Sequence, residues 1–195
     1  MPRKKIGVLI SGGGTNLQAV IDACSENKIN AETVVVISNK EHAFGLKRAE
    51  KAGIDALYIA PKLFSSSDYD LEIIKELKKR EVDLIVLAGF LRVLSPIFIN
   101  AFRDKIINIH PSLIPEFCGD GYYGEKVHQA VLDSDCKLTG ATVHFVDEGT
   151  DTGEIILQES VDVLRDDTVE SLQKRVLRVE HKILVKALHE LCNED

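Results

Sequence analysis

The chain contains no C-x-x-C, no cysteine–histidine spacing of a zinc site, no apolar run long enough to cross a bilayer and no excess of basic charge. Each absence removes a class of function. The four cysteines, Cys24, Cys118, Cys136 and Cys192, are scattered, which excludes a zinc ribbon or a dithiol redox motif and reads as reduced thiols in a cytoplasmic protein. Met1-Pro2-Arg3-Lys4-Lys5 leads straight into a strand, with no apolar core of roughly 7–15 residues such as a secretory signal needs. No stretch approaches the roughly 18 apolar residues of a membrane span. The net charge of −7 and the pI near 5.4 argue against nucleic acid, whose phosphates call for a basic partner surface. An anionic small molecule remains open, because backbone N–H groups can hold one locally. Repeats, low-complexity segments and long linkers are also missing, so the 195 residues are expected to form one domain, 1–195.

What is present is an alternation of apolar strands and amphipathic helices. Strands are expected at Ile6–Ser11, Thr33–Ser38, Ala56–Ile59, Leu84–Leu87 and Ile106–Ile109. Helices are expected between them at Leu17–Asn27, Phe44–Ala52 (closed by Gly53), Tyr69–Arg80 and from Pro96. Continuously apolar strands alternating with helices indicate a doubly wound α/β fold with a mostly parallel sheet. After His110 the pattern changes. A glycine-rich loop leads to a helix at Glu125–Leu132, two strands follow at Ala141–Val146 and Ile155–Val163, and a long final helix runs from about Thr168 to Cys192 with Asp167 or Thr168 as its cap. These two strands are expected to form an antiparallel extension. Glu180 falls on the apolar side of the last helix, and by position alone it is either an edge residue or a ligand contact.

Ser11-Gly12-Gly13-Gly14-Thr15-Asn16 joins the first strand to the first helix. Its glycines allow a tight turn and close approach to a ligand, and the helix start behind it favours an anion. The dinucleotide fingerprint fails because Leu17 stands where its third glycine belongs, and no acid follows the second strand, where Ser38-Asn39-Lys40 stands. Nor does a Gly-Lys-Ser/Thr follow. The loop is either a phosphomonoester site on Gly14, Thr15 and Asn16 or simply a tight strand–helix turn.

The most informative stretch is Asn108-Ile109-His110-Pro111-Ser112-Leu113-Ile114-Pro115. Residues i and i+2 of a strand share a face, so Asn108 and His110 project side by side, and Pro111 ends the strand. A hydrogen-bond donor beside a titratable group suits oxyanion stabilisation with proton transfer. A second run, Gly140-Ala141-Thr142-Val143-His144-Phe145-Val146-Asp147 through Asp151, offers a carboxylate that could set the charge of His110. Taken singly, His110 could be an ordinary hydrogen-bonded strand-end histidine, Asp147 and Glu148 part of a solvated hairpin turn, and Asp151 a turn cap.

Taken together, the two runs resemble the folate-dependent formyltransferases, from Ile6 to about Glu190. The resemblance implies a Rossmann-like formyltransferase fold and transfer of the formyl group of 10-formyltetrahydrofolate to the amine of glycinamide ribonucleotide (GAR), without a metal. It implies catalytic roles for Asn108, His110 and Asp151, with the last raising the pKa of a protonated His110. It places the GAR phosphate on Gly14, Thr15 and Asn16, with Pro111 and Glu180 also on the acceptor side. It places the folate against Leu91, Arg92, Val93, Leu94, Asn108 and the loop Asp147, Glu148, Gly149, Thr150, Asp151. His144 takes a supporting place, while His42, His128, His181 and His189 read as surface or helix-face residues. Two departures stand out. Phe64-Ser65-Ser66-Ser67-Asp68 lacks the arginine that many relatives direct at the folate tail, and Glu116 to Gly124 differs from the commoner, shorter loop. A formyltetrahydrofolate hydrolase, another formyltransferase of the family such as the methionyl-tRNA enzyme, and a non-catalytic nucleotide-binding module remain as alternatives. The first two are expected to carry an extra N-terminal or C-terminal domain, and the third has no need of all of Asn108, His110 and Asp151.

Overall fold

The central strands are apolar on both faces because both faces are covered. In the computed structural model, which describes residues 2–193, seven strands form one sheet: β1 (Lys4–Ile10), β2 (Ala31–Ser38), β3 (Asp55–Tyr58), β4 (Leu84–Leu87), β5 (Ile106–His110), β6 (Leu138–Phe145) and β7 (Ile155–Asp162). Their order is β3-β2-β1-β4-β5-β6-β7. The first five are parallel, and β6 and β7 add antiparallel to β5. The expected doubly wound sheet with an antiparallel extension is therefore present, with strand ends displaced by one to a few residues.

The helices are α1 (Thr15–Ser25), α2 (Phe44–Lys51), α3 (Ser66–Lys79), α4 (Pro96–Ala101), α5 (Glu125–Asp133) and α6 (Val169–Asn193). Successive side chains of a strand point to opposite faces, and the core divides accordingly. Ile6, Val8 and Ile10 join Leu17, Val20, Val131, Leu172 and Leu184 on one side. Leu9, Val35 and Ile85 join Tyr69, Ile73, Leu77 and Phe98 on the other. The final helix buries Leu172, Val176, Ile183, Leu184, Ala187 and Leu188, whereas Val169 and Val179 are only half-buried. Its cap is Thr168: Ser171 N donates to Thr168 Oγ1 at 3.2 Å and Thr168 N to Ser171 Oγ at 2.9 Å. Asp167 instead anchors Arg175 at 2.7 Å, and that guanidinium holds the carboxyl well below the usual carboxylate range. Helix α3 begins three residues before the expected Tyr69, since Ser65 caps it by accepting from Asp68 N at 3.3 Å.

The chain winds one way from β1 through β2 to β3 and the other way from β4 to β5, so the loops after β1 and β4 leave the sheet at a switch point. Such sheets place their crevices there, outside the strand C-termini.

Candidate active site

Strand pairing builds the first half of the site. In the β5–β6 register Asn108 lies opposite His144 and His110 opposite Thr142. Neighbouring strands run about 4.8 Å apart, so two polar side chains near the end of β5 gain a third from β6. The loop after β6 then returns Asp151 into the same space. Its Oδ2 lies 3.5 Å from His110 Nδ1 and its Oδ1 3.6 Å from His144 Nε2. Asn108 Nδ2 lies 3.1 Å from His144 Nε2 and donates to Asp151 Oδ1 over a long 3.4 Å. Asp151 stands at φ 57°, a left-handed conformation that Asp and Asn tolerate better than most residues.

Two contacts come from the Glu116–Gly124 loop. His110 Nε2 donates to Phe117 O at 2.9 Å, and Gly119 N donates to Asp151 Oδ2 at 3.0 Å. Nε2 of His110 is thus engaged by a carbonyl, while Nδ1 faces the carboxylate and pairs with it only when the ring is protonated. A hydrogen on Nε2 leaves Nδ1 of the neutral ring as the basic position, facing Asp151. His144 is fixed similarly: Nδ1 donates to Phe145 O at 2.7 Å, and Nε2 faces both Asn108 Nδ2 and Asp151 Oδ1.

Burial is what sets the charge state. His110 is 4% exposed, and its pKa is lowered, mainly because burial penalises the imidazolium; Asp151 pulls the other way without prevailing. This corrects the expectation of a net upward shift. The carboxylate does favour the charged form, but removing the ring from water outweighs it, so the resting His110 is neutral. For Asp151 burial favours the neutral acid, yet His144, His110 and the Gly119 N–H together outweigh it and hold the pKa below the usual range.

These groups open onto a cavity of about 500 Å³. One wall is Gly89 to Leu94 beyond β4, another is Val146 to Asp151, and Asn108, His110 and Pro111 lie at the strand ends between them. Every residue of the expected folate set, Leu91, Arg92, Val93, Leu94, Asn108, Asp147, Glu148, Gly149, Thr150 and Asp151, therefore borders this one space. Arg92 lies over the Tyr69 ring at 4.5 Å and 3.8 Å from the buried Asp70 carboxylate. The sequence reading missed Lys40, Tyr122 and Tyr123, which also line the cavity. The position of Lys40 just past β2, where ligands of such sheets gather, was the available signal. For the tyrosines there was none, since the path of a nine-residue loop is not periodic.

Gly14, Thr15, Asn16 and Glu180 do not border the cavity but meet one another beside it. Asn16 Nδ2 donates to Glu180 Oε2 at 2.7 Å. Burial pushes the Glu180 carboxyl up, and the Asn16 amide partly opposes this. The first bond of α1 runs from Gln18 N to Gly14 O at 2.9 Å, so the amides of Thr15, Asn16 and Leu17 have no partner within the helix. Gly14 holds φ 70°, and a Cβ there would sit 2.7 Å from the Gly45 backbone, so no other residue fits this turn without displacement.

His128 corrects the surface reading of that residue. It is 1% exposed, its Nδ1 has no hydrogen-bond partner, and burial pushes it down to about 4, with the nearby His110 adding to the effect. Val127 and Val131 bury the same helix face, and His128 lies on its flank; periodicity could have flagged it. Among the described residues no group of three histidine, cysteine or acidic side chains could hold a metal ion. No described helix is long and apolar enough to cross a membrane.

Residues 4–188 match the family profile described as formyl transferase. The chain is 48% identical over 194 residues to the trifunctional purine biosynthetic protein adenosine-3 of Drosophila melanogaster, an alignment covering 98% of this chain and 14% of that protein. It is 41% identical to the chloroplastic phosphoribosylglycinamide formyltransferase of Arabidopsis thaliana, covering 98% of this chain and 66% of that one. The chain thus spans less than two thirds of these relatives' lengths. Among solved structures, glycinamide ribonucleotide transformylase 1 from Symbiobacterium toebii superposes with a TM-score of 0.93 at 44% identity, over 97% of this chain and 88% of that one.

Proposed function

Because the chain belongs to the formyl transferase family, we propose that residues 1–195 act as a single catalytic domain, a phosphoribosylglycinamide formyltransferase that moves the formyl group of 10-formyltetrahydrofolate onto the amine of GAR. The observation that carries this reading is the meeting of Asn108, His110 and Asp151 at the edge of a cavity large enough for a pterin ring. The names of relatives that this chain nearly spans, including the transformylase from Symbiobacterium toebii, support it. The four cysteines are free, which agrees with a reducing, cytoplasmic setting.

The chemistry follows from the charge states. The GAR amine attacks the formyl carbon, giving a tetrahedral centre with an oxyanion and an ammonium. Neutral His110 takes the ammonium proton, directly or through a water. The imidazolium so formed is stabilised by Asp151, 3.5 Å away, and then donates to N10 of the folate as the C–N10 bond breaks. The products are formylated GAR and tetrahydrofolate. Asn108 turns its amide to the oxyanion. Its 3.4 Å bond to Asp151 is the weaker of its two contacts and the one to give way, since a hydrogen bond this long contributes little. One such donor is worth about 10²–10³ in rate. The Phe117 carbonyl must release His110 Nε2–H for the ring to turn toward the reacting atoms.

GAR lies with its phosphate on the Gly14, Thr15 and Asn16 turn, where the amides of Thr15 and Asn16 have no partner within the helix, its ribose toward Glu180 and its amine toward Pro111 and His110. The folate occupies the cavity between Leu91–Leu94 and Asp147–Asp151. Incubating the protein with 10-formyltetrahydrofolate and GAR, water or methionyl-tRNA as competing acceptors tests this assignment. Formyl transfer to GAR alone is expected; preferential release of formate, or formylation of the tRNA, would overturn it.

A further inference from the structure

The two substrates of the proposed reaction meet at His110 but are held by separate chain segments, and one side chain ties those segments together. Ser11 is the last residue before the glycine turn, and its hydroxyl is committed in both directions. It donates to Asn39 Oδ1 at 2.7 Å and accepts from Leu91 N at 2.8 Å. Asn39 is itself buried, at the end of β2, and the next residue, Lys40, borders the cavity. Leu91 belongs to the segment that walls the cavity. One hydroxyl therefore joins three chain segments, the loop behind the acceptor phosphate, the end of β2 and the wall on the donor. The Ser11 side chain does not border the cavity, so its effect on a ligand there must pass through the groups it holds.

The other face of the glycine loop is fixed by α2. Gly45 N donates to Gly12 O at 3.0 Å, and Arg48 Nε to Gly13 O at 2.9 Å. With that side anchored by α2, the Ser11 hydroxyl ties the other side of the loop to the Leu91 segment. A chain of hydrogen bonds between two sites is the kind of physical link through which binding free energies couple.

We infer that Ser11 is a positioning residue that couples the acceptor site to the donor site, so that each substrate tightens the other. This rests on the functional reading above. The backbone bond from Ser11 N to Gly89 O, 3.0 Å long, survives any substitution of the side chain. Ser11→Ala therefore removes the hydroxyl link and leaves the strand connection, while Ser11→Thr restores the hydroxyl. Asn39→Ala removes only the group that orients it.

The test uses GAR and tetrahydrofolate, the donor without its formyl group, which together bind without reacting. Calorimetric titration gives the GAR Kd with and without saturating tetrahydrofolate. The unaltered protein is expected to bind GAR at least about fivefold more tightly in the ternary complex, the lower end of ordinary coupling. Ser11→Ala is expected to bring that ratio close to one while each ligand alone loses no more than about threefold. Ser11→Thr should keep the ratio, and Asn39→Ala should lie between. A ratio of one in the unaltered protein, or an unchanged ratio in Ser11→Ala, would overturn the inference. Failure of the unaltered protein to bind either ligand would instead sink the functional reading, and the coupling with it.

Discussion

Replacing Asp151 by Asn isolates the electrostatic part of the proposed mechanism. Asn keeps the size of the side chain, tolerates the φ of 57°, and retains an acceptor for the Gly119 amide at 3.0 Å; the charge goes, and with it the acceptor of the long 3.4 Å bond from Asn108. Unit charges at the 3.5 Å separation of His110 Nδ1 and Asp151 Oδ2 attract by roughly 4–5 kcal/mol at an effective dielectric near 20. Residual solvent at the carboxylate trims this, so the His110 pKa is expected to fall by about one to three units, or about 1.4–4 kcal/mol. The direction is downward from a value that burial already places below 6.5. The imidazolium that forms when His110 takes the amine proton loses that stabilisation, and the rate plateau should drop about tenfold to a thousandfold. Activity that requires neutral His110 rises with pH through its pKa, so the acid limb should move to lower pH in the variant. Titration of ring-labelled His110 by NMR, beside a kcat/KM profile against pH, reads both quantities. An unchanged pKa with near-normal turnover would leave Asp151 as a turn residue only, for which Asn is an equal substitute.

His110→Ala should lose about two to four orders of magnitude in turnover while GAR binding by calorimetry stays near normal; normal turnover would remove His110 from the mechanism. Thr15→Ala combined with Asn16→Ala should weaken GAR binding and spare binding of tetrahydrofolate alone, because these residues lie outside the cavity; equal loss of both ligands would mark the loop as a structural turn. His128 gives a stability prediction. Its pKa drops from 6.5 to about 4 on folding, a difference worth roughly 3 kcal/mol. A depressed histidine contributes its stability fully above pH 6.5 and loses it as pH falls toward the folded value. His128→Gln should therefore lose less stability than the unaltered protein between pH 7 and 4 in urea melts; parallel losses would show that His128 does not set this slope.

Much of the architecture was legible because periodicity records burial. Continuous apolar runs marked strands covered on both faces, Ser95-Pro96 marked the start of α4, and Asn108 and His110 shared a face by strand geometry alone. The glycine turn was legible too, since few residues other than glycine accept φ 70° against the backbone of Gly45. Less legible was the partnership of groups far apart in the chain. Asn108 and Asp151 are 43 residues apart and Asn16 and Glu180 are 164 apart; the family resemblance suggested that they belong to one site, but no local rule brings them within bonding distance.

Tertiary structure alone decided the charge of His110. The sequence placed a carboxylate within its reach and so pointed upward, but a pKa responds to the whole environment, and the depth of burial that pushes it down is a property of the packed protein. The same holds for His128, which reads as a surface histidine until α5 packs it out of water, and for Ser11, whose two partners lie 28 and 80 residues away. Local sequence determines which conformations a segment prefers. Which polar groups lose their water, and what they find in its place, is settled only when the segments close on one another.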